Sequence, residues 1–170
     1  MAEDNLIGEP LFIKNAGLIL CWPFMAQCFK MVGLSDLQRP EQANRAVQLL
    51  QYLVNGKTDT PEFELPLNKL LCGVELNTII NKIELTETEI EICGQMLQAV
   101  IQNWPTVQHT SVSGFQESFL QREGKLSESE NYWSLQVEKK AFDVLLQQLP
   151  WRLSPVYFSW MDKKIEVEWP

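Results

Sequence analysis

The sequence has a single histidine, His109, among 170 residues. Nucleophile activation of the Ser–His–Asp kind has only that residue to draw on, and no GxSxG elbow accompanies it. The eight glycines are scattered, with neither GxxxxGK[ST] nor GxGxxG, so no phosphate-cradling loop is present. No CxxC occurs, and His109 has no cysteine at ligand spacing, which argues against zinc. No Lys or Arg falls between Lys82 and Arg122, and the net charge is −8. A nucleic-acid binder needs a basic stripe to displace counterions, and none is visible. The longest apolar run, near Leu18 to Met25, is far below the ~20 residues of a membrane span. The acidic start Met1-Ala2-Glu3-Asp4 has no apolar signal core after it. These absences predict a soluble, cytoplasmic chain that is not an enzyme, uses no metal or cofactor, and binds neither nucleic acid nor membrane.

What is present suits a packed core. Six Trp and eight Phe supply large buried areas. Cys21, Cys28, Cys72 and Cys93 each sit in an apolar helical run, where a free thiol behaves as a small hydrophobe. We expect them reduced, in keeping with the cytoplasm.

Periodicity predicts six helices. Phe24, Cys28, Met31 and Val32 recur at helical spacing after Pro23. Asn15 is a candidate cap just upstream. A second helix starts near Pro40 with the stripe Ala43, Ala46, Val47, Leu50, Leu53 and Val54, and a shorter one runs from about Pro66 to Cys72. The fourth has a capping box in Thr86 and Glu89, with Leu85 placed to staple to Ile90. Its inward face reads Ile90, Cys93, Leu97, Val100, Ile101 and Trp104. Glu87 and Glu91 fall on the solvent face. Ser113 and Gln116 mark a short fifth helix carrying Phe115 and Phe119. The sixth spans about Lys140 to Leu149, with Phe142, Leu145, Leu146 and Leu149 inward.

Elsewhere the period is two. Leu11-Phe12-Ile13 reads as a short strand. Trp133, Leu135 and Val137 alternate with polar residues, and the strand's partner is expected around Leu120 to Leu126. Val156, Phe158 and Trp160 share one strand face, and Ile165, Val167 and Trp169 another. The expected fold is α+β and mainly helical, with a small antiparallel sheet formed largely by the C-terminal third. The expected organisation is a flexible tail over residues 1–9 and a single globular domain over 10–170.

Two features point to partner binding. Arg122-Glu123-Gly124 interrupts the strand pattern. It reads either as a positioned ion pair at a binding edge or as a turn whose Gly takes positive φ. Trp151, Tyr157, Phe158, Trp160 and Trp169 read either as core or as a partner-facing patch, since Trp and Tyr are enriched at interface hot spots. The candidate partner-binding residues are therefore Arg122, Glu123, Trp151, Tyr157, Trp160 and Trp169.

Several segments also read together. They are Asn15-Ala16-Gly17-Leu18-Ile19-Leu20-Cys21-Trp22-Pro23-Phe24, Gln48-Leu49-Leu50-Gln51-Tyr52-Leu53 and Leu67-Asn68-Lys69-Leu70-Leu71-Cys72-Gly73. Thr110-Ser111-Val112, Phe119-Leu120-Gln121-Arg122-Glu123-Gly124, Ala141-Phe142-Asp143-Val144-Leu145-Leu146 and Leu149-Pro150-Trp151 follow, and then Trp160-Met161 and Val167-Glu168-Trp169. In this order, from about residue 10 to 170, the chain resembles the C-terminal region of contractile injection system tape measure proteins. The resemblance implies a non-catalytic place in a phage-tail-like machine, with the baseplate hub, the tube or an assembly factor as partner, and residence in the cytoplasm or the assembled particle. Tape measure proteins of this kind set tube length. A fully helical chain of this size would span only about 250 Å at ~1.5 Å per residue. A compact globule would be nearer ~30 Å across. The resemblance therefore implies an anchoring or docking domain, either of a longer ruler or of a short relative. A stand-alone adaptor or assembly chaperone is the alternative. Nothing in the sequence sets the oligomeric state.

Overall fold

The computed structural model describes residues 6–170. The centre of the fold is the 3-10 turn Ala16–Cys21, in which six consecutive residues are buried. It touches helix α1 (Trp22–Met31), helix α2 (Pro40–Asn55), the π-helical turn Gln116–Leu120 and the sheet. Such a run is possible because both backbone faces are covered, so no apolar/polar period survives in its sequence. Asn15 does not cap it. The Asn15 side chain makes no capping hydrogen bond and instead turns inward to Gln51 and Asn68.

The helices follow their sequence signals. In α2 the expected stripe is buried from Ala43 to Val54, Pro40 occupies the first turn, and Gly56 closes the helix at φ 74°. Helix α3 (Pro66–Leu71) ends at Gly73, again with positive φ. Helix α4 (Glu87–Gln102) carries the full capping box: Glu89 N–H donates to Thr86 Oγ1 at 3.1 Å, and Thr86 N–H donates to Glu89 Oε1 at 2.9 Å. Thr86→Ala is expected to cost about 0.5–2 kcal/mol in urea unfolding, the usual range for a lost cap. The stripe of α4 is buried from Cys93 to Ile101, but Ile90, expected inward, is exposed. Its neighbour Glu89 takes the buried position instead, because Arg45 of α2 meets it there. A short α5 (Val112–Phe115) runs directly into the π-helical turn. The sixth helical segment, Ala141–Gln148, is a 3-10 helix. Its tighter winding leaves Phe142 partly exposed, while Leu146 is buried.

The sheet has four strands in the order β1 (Ile7–Ile13), β2 (Gly124–Glu128), β3 (Tyr132–Val137), β4 (Lys164–Glu168). The pairs β1–β2 and β2–β3 are antiparallel, as expected, but β3–β4 is parallel, so the sheet is mixed. Alternation reports which face a side chain takes and says nothing of strand direction. The direction is set by the long connection from β3, which carries the chain back over the helical layer before β4 begins. The first strand also starts earlier than read from sequence: Ile7–Glu9 belong to β1, and residues 1–5 of the expected tail lie outside the described residues. Leu126, Trp133, Leu135, Val137 and Ile165 face the helices, and Lys125, Ser127, Ser134, Gln136, Glu166 and Glu168 lie on the other face.

Val156–Trp160, expected as a strand, is not one. Only Val156 bridges to Ile165, and the segment around it turns. Residues 149–163 form a strap across the helices. Its alternation of apolar residues reflects anchors set into the helical layer.

Candidate docking surface

Arg122 follows the π-helical turn and is fully buried. Its guanidinium makes a bidentate pair with Asp143: Nη1 donates to Oδ2 at 2.9 Å and Nη2 to Oδ1 at 2.6 Å. Nε donates to Ser118 O and Nη1 also to Glu138 O. Phe119, Phe142 and Trp169 surround it, with ring centroids 5.6, 5.2 and 5.3 Å from the guanidinium carbon. Trp169 Nε1 donates to Asp143 Oδ2 at 3.0 Å, and Lys140 N–H donates to the same oxygen. Burial disfavours the charged form of Asp143. The hydrogen bonds from Arg122, Lys140 and Trp169 outweigh that and hold the carboxyl below its usual range. Arg122 and Trp169 thus belong to an internal joint between the π-helical turn, the Ala141–Gln148 helix and the chain after β4.

The turn expected at Gly124 is absent. Gly124 opens β2 without positive φ. A Cβ there would lie 2.5 Å from Ala16 Cβ and 2.9 Å from Gln136 O, so glycine is required by close approach.

The strap tryptophans are anchors of the same inward kind. Trp151 Nε1 donates to Leu20 O at 3.0 Å, and Trp160 Nε1 donates to Leu71 O at 2.8 Å. Trp151 also packs edge-on against Phe24, and Trp160 stacks on Phe158 and touches Phe29. Trp22 returns the pattern by donating from Nε1 to Arg152 O. A Cβ on Gly73 would collide with the Trp160 carbonyl, so the strap crosses α3 where that helix ends in glycine. Of the six candidate residues, Tyr157 and Glu123 are the exposed ones; Trp151 and Trp160 are half-buried.

Other buried polar residues were not legible from sequence. Lys69 is 2% exposed, and its ammonium donates to Leu76 O at 2.9 Å and Thr78 O at 2.8 Å. It pins the irregular segment between α3 and α4. Arg45 holds the far end of that segment through Glu84 O and pairs with Glu89, whose carboxyl the Arg45 hydrogen bond keeps below its usual range. Asn15, Gln51 and Asn68 form a buried amide cluster joining the chain after β1 to α2 and α3. A polar residue in the middle of an apolar helical run was the available signal, as in Leu67-Asn68-Lys69-Leu70.

The four cysteines are free and buried. Burial pushes the Cys21 thiol up to about 12 and the Cys72 thiol higher. The Cys93 thiol is raised by its hydrogen bond with Cys28 and by burial. The same hydrogen bond lowers the Cys28 thiol against its own burial. The three raised thiols are poor nucleophiles. His109 is exposed in a loop. Among the described residues no group of three His, Cys, Asp or Glu side chains is placed to hold a metal ion, and no helix is long and apolar enough to cross a membrane.

The surface offers two kinds of contact. Large apolar side chains stand out, with Phe12 71%, Phe63 72% and Ile79 74% exposed. There are also open grooves. One of about 740 Å³ lies between the start of α2 and the segment that Lys69 pins.

A family model described as contractile injection system tape measure protein matches residues 2–169. No curated protein and no solved structure matches the chain.

Proposed function

Because the chain belongs to the contractile injection system tape measure protein family, we propose that it works as a non-catalytic docking module, holding one end of the tape measure at the baseplate hub or tube. Membership makes it a structural component of such a system. The finer reading rests on one observation: its buried charges are closed on the chain itself. Arg122 is matched by Asp143, Arg45 by Glu89, and Lys69 by two backbone carbonyls. Each joins separate segments, so the buried charge serves rigidity. A rigid body that keeps its shape under load suits an anchor, whereas an active site leaves charge poised for a substrate.

Deleting the gene is expected to abolish particles or give tubes of irregular length in electron micrographs. The chain is expected to co-purify with particles or assembly intermediates. Particles of normal number and length in the deletion strain would defeat the reading.

A further inference from the structure

With the buried charges closed on the chain itself, the open charges lie at the surface, and two of them line one groove. It has a volume of about 590 Å³ and lies where the strap crosses the glycine end of α3. Its apolar lining is Leu70, Val74, Leu76, Trp133, Trp160 and Met161. Trp133 and Met161 are buried, whereas Leu70, Val74, Leu76 and Trp160 are only half-buried. Trp160 is already held by its bond to Leu71 O and its stack on Phe158, so it offers a fixed wall. Aromatic side chains in such pockets are common anchors of interfaces.

The charged part of the lining is one-sided. Lys163 pairs with Glu128 at 2.7 Å and also donates to Ser129 O. Glu75 and Asp162 are exposed, and among the described residues neither carboxylate has an ion pair or a hydrogen bond. The groove at the start of α2 adjoins this one, since Gly73, Val74 and Glu75 line both. There the one cation, Arg45, is taken by Glu89, and the exposed Glu41 is again without an ion pair. Across both linings every cation is matched and three carboxylates are not.

The occupant's chemistry follows from this pairing of an apolar floor with unmatched negative charge. An acidic segment is repelled. A purely apolar segment takes water from Glu75 and Asp162 and puts nothing in its place, which is costly. A cation without apolar neighbours leaves the floor wet and gains only exposed ion pairs, which are weak. A segment that carries both meets the floor and the rim together. We propose that this groove docks a segment of a partner polypeptide in which Lys or Arg side chains alternate with large apolar ones. The proposal deepens the docking reading and rests on it for its biological meaning, but the binding itself is measurable on the isolated chain.

The test is a titration of the full, isotopically labelled chain at low ionic strength, followed by NMR at the indole N–H signals of Trp133 and Trp160. The probe is acetyl-Leu-Arg-Leu-Arg-amide, and the controls are acetyl-Ser-Arg-Ser-Arg-amide and acetyl-Leu-Glu-Leu-Glu-amide. Saturable shifts are expected with the probe, which should bind at least tenfold more tightly than either control. Equal binding by the serine control would overturn the proposal, because attraction between net charges would then suffice. Equal binding by the glutamate control would overturn it by removing the charge match, and so would the absence of saturable shifts with every peptide. Glu75→Lys combined with Asp162→Lys is expected to weaken the probe at least tenfold and to strengthen the glutamate peptide. Both side chains are exposed and unpaired, so this double variant keeps its fold. Glu91→Lys combined with Glu117→Lys makes the same change in net charge outside both grooves. It is expected to leave probe binding within about twofold, because screened charges act over short range. Equal losses from the two double variants would overturn the proposal. The docking reading fails separately, through normal particles in the deletion strain.

Discussion

Asp143→Ala is expected to destabilise the chain by about 3–5 kcal/mol, the usual cost of removing one partner from a buried ion pair. The substitution leaves the Arg122 guanidinium fully buried with only the Ser118 and Glu138 carbonyls to accept its protons. It also strips the indole of Trp169 and the backbone of Lys140 of their acceptor. Chemical denaturation of the purified variant checks this, and a loss below about 1 kcal/mol would contradict it. The joint is not irreplaceable. Because desolvation of both ions is itself costly, Arg122→Met combined with Asp143→Leu is expected to recover much of the loss. The same residue sets an acid limit. The Asp143 carboxyl is held below its ordinary value of 3.8 when folded and returns to it when unfolded. Between those values the unfolded chain binds more protons, so stability rises with pH there. The contribution is complete above the unfolded value and is lost as pH falls through the folded one. Glu89 acts in the same sense from its ordinary value of 4.5. Stability measured from pH 6 downward should therefore hold until about pH 4.5 and then fall. Asp143→Asn should show a shallower fall.

The contrast between what is legible in the sequence and what is not follows the range of the interactions. Helices α2 and α4 are legible because their caps, stripes and stops are local, lying within a turn or two of each other. The inward set Trp133, Leu135 and Val137 is legible for the same reason. The parallel entry of β4 is not, since it depends on where residues 149–163 travel. In that strap, Val156, Phe158 and Trp160 imitate a strand. Trp160 is held by the Leu71 carbonyl, 89 residues away, and Trp151 by the Leu20 carbonyl, 131 residues away. Those carbonyls lie at helix ends, and no side-chain pattern marks them as acceptors. Arg122 stands out in the sequence as irregular but reads as outward, because the residue that neutralises it, Asp143, lies in a helix whose pattern is ordinary. Spacing alone puts Ile90 inward, and the Arg45–Glu89 pair displaces it. The buried amide cluster is half legible. Asn15, Gln51 and Asn68 all fall in the segments that carry the family resemblance, but only the fold shows that they bond to one another.

Gly17→Ala is expected to be the most damaging single-methyl change in the chain. Gly17 lies in the buried 3-10 turn that every layer of the fold touches, and there the backbone of the π-helical turn runs directly against it. A Cβ at Gly17 would overlap the Phe119 carbonyl oxygen and lie 2.6 Å from the Phe119 carbonyl carbon and 2.7 Å from Leu120 Cα. These are backbone atoms, so no rotamer change relieves the clash; two segments must separate. Overpacking a core by a methylene ordinarily costs about 1–3 kcal/mol, and this case lies at or above the top of that range. Separation would also shift Arg122, because Ala16 N–H donates to Arg122 O at 2.9 Å and Phe119 flanks the guanidinium. The variant is therefore expected to combine a lower unfolding midpoint with faster amide exchange in both segments. Gly94, on the partly exposed part of α4, would have nothing within 4 Å of an added Cβ and serves as the control. Gly94→Ala should stabilise by up to about 1 kcal/mol through helix propensity. Equal midpoints for Gly17→Ala and the unsubstituted chain would show that the two backbones are not in contact, and with that the central turn would lose its place as the part that fixes how the layers meet.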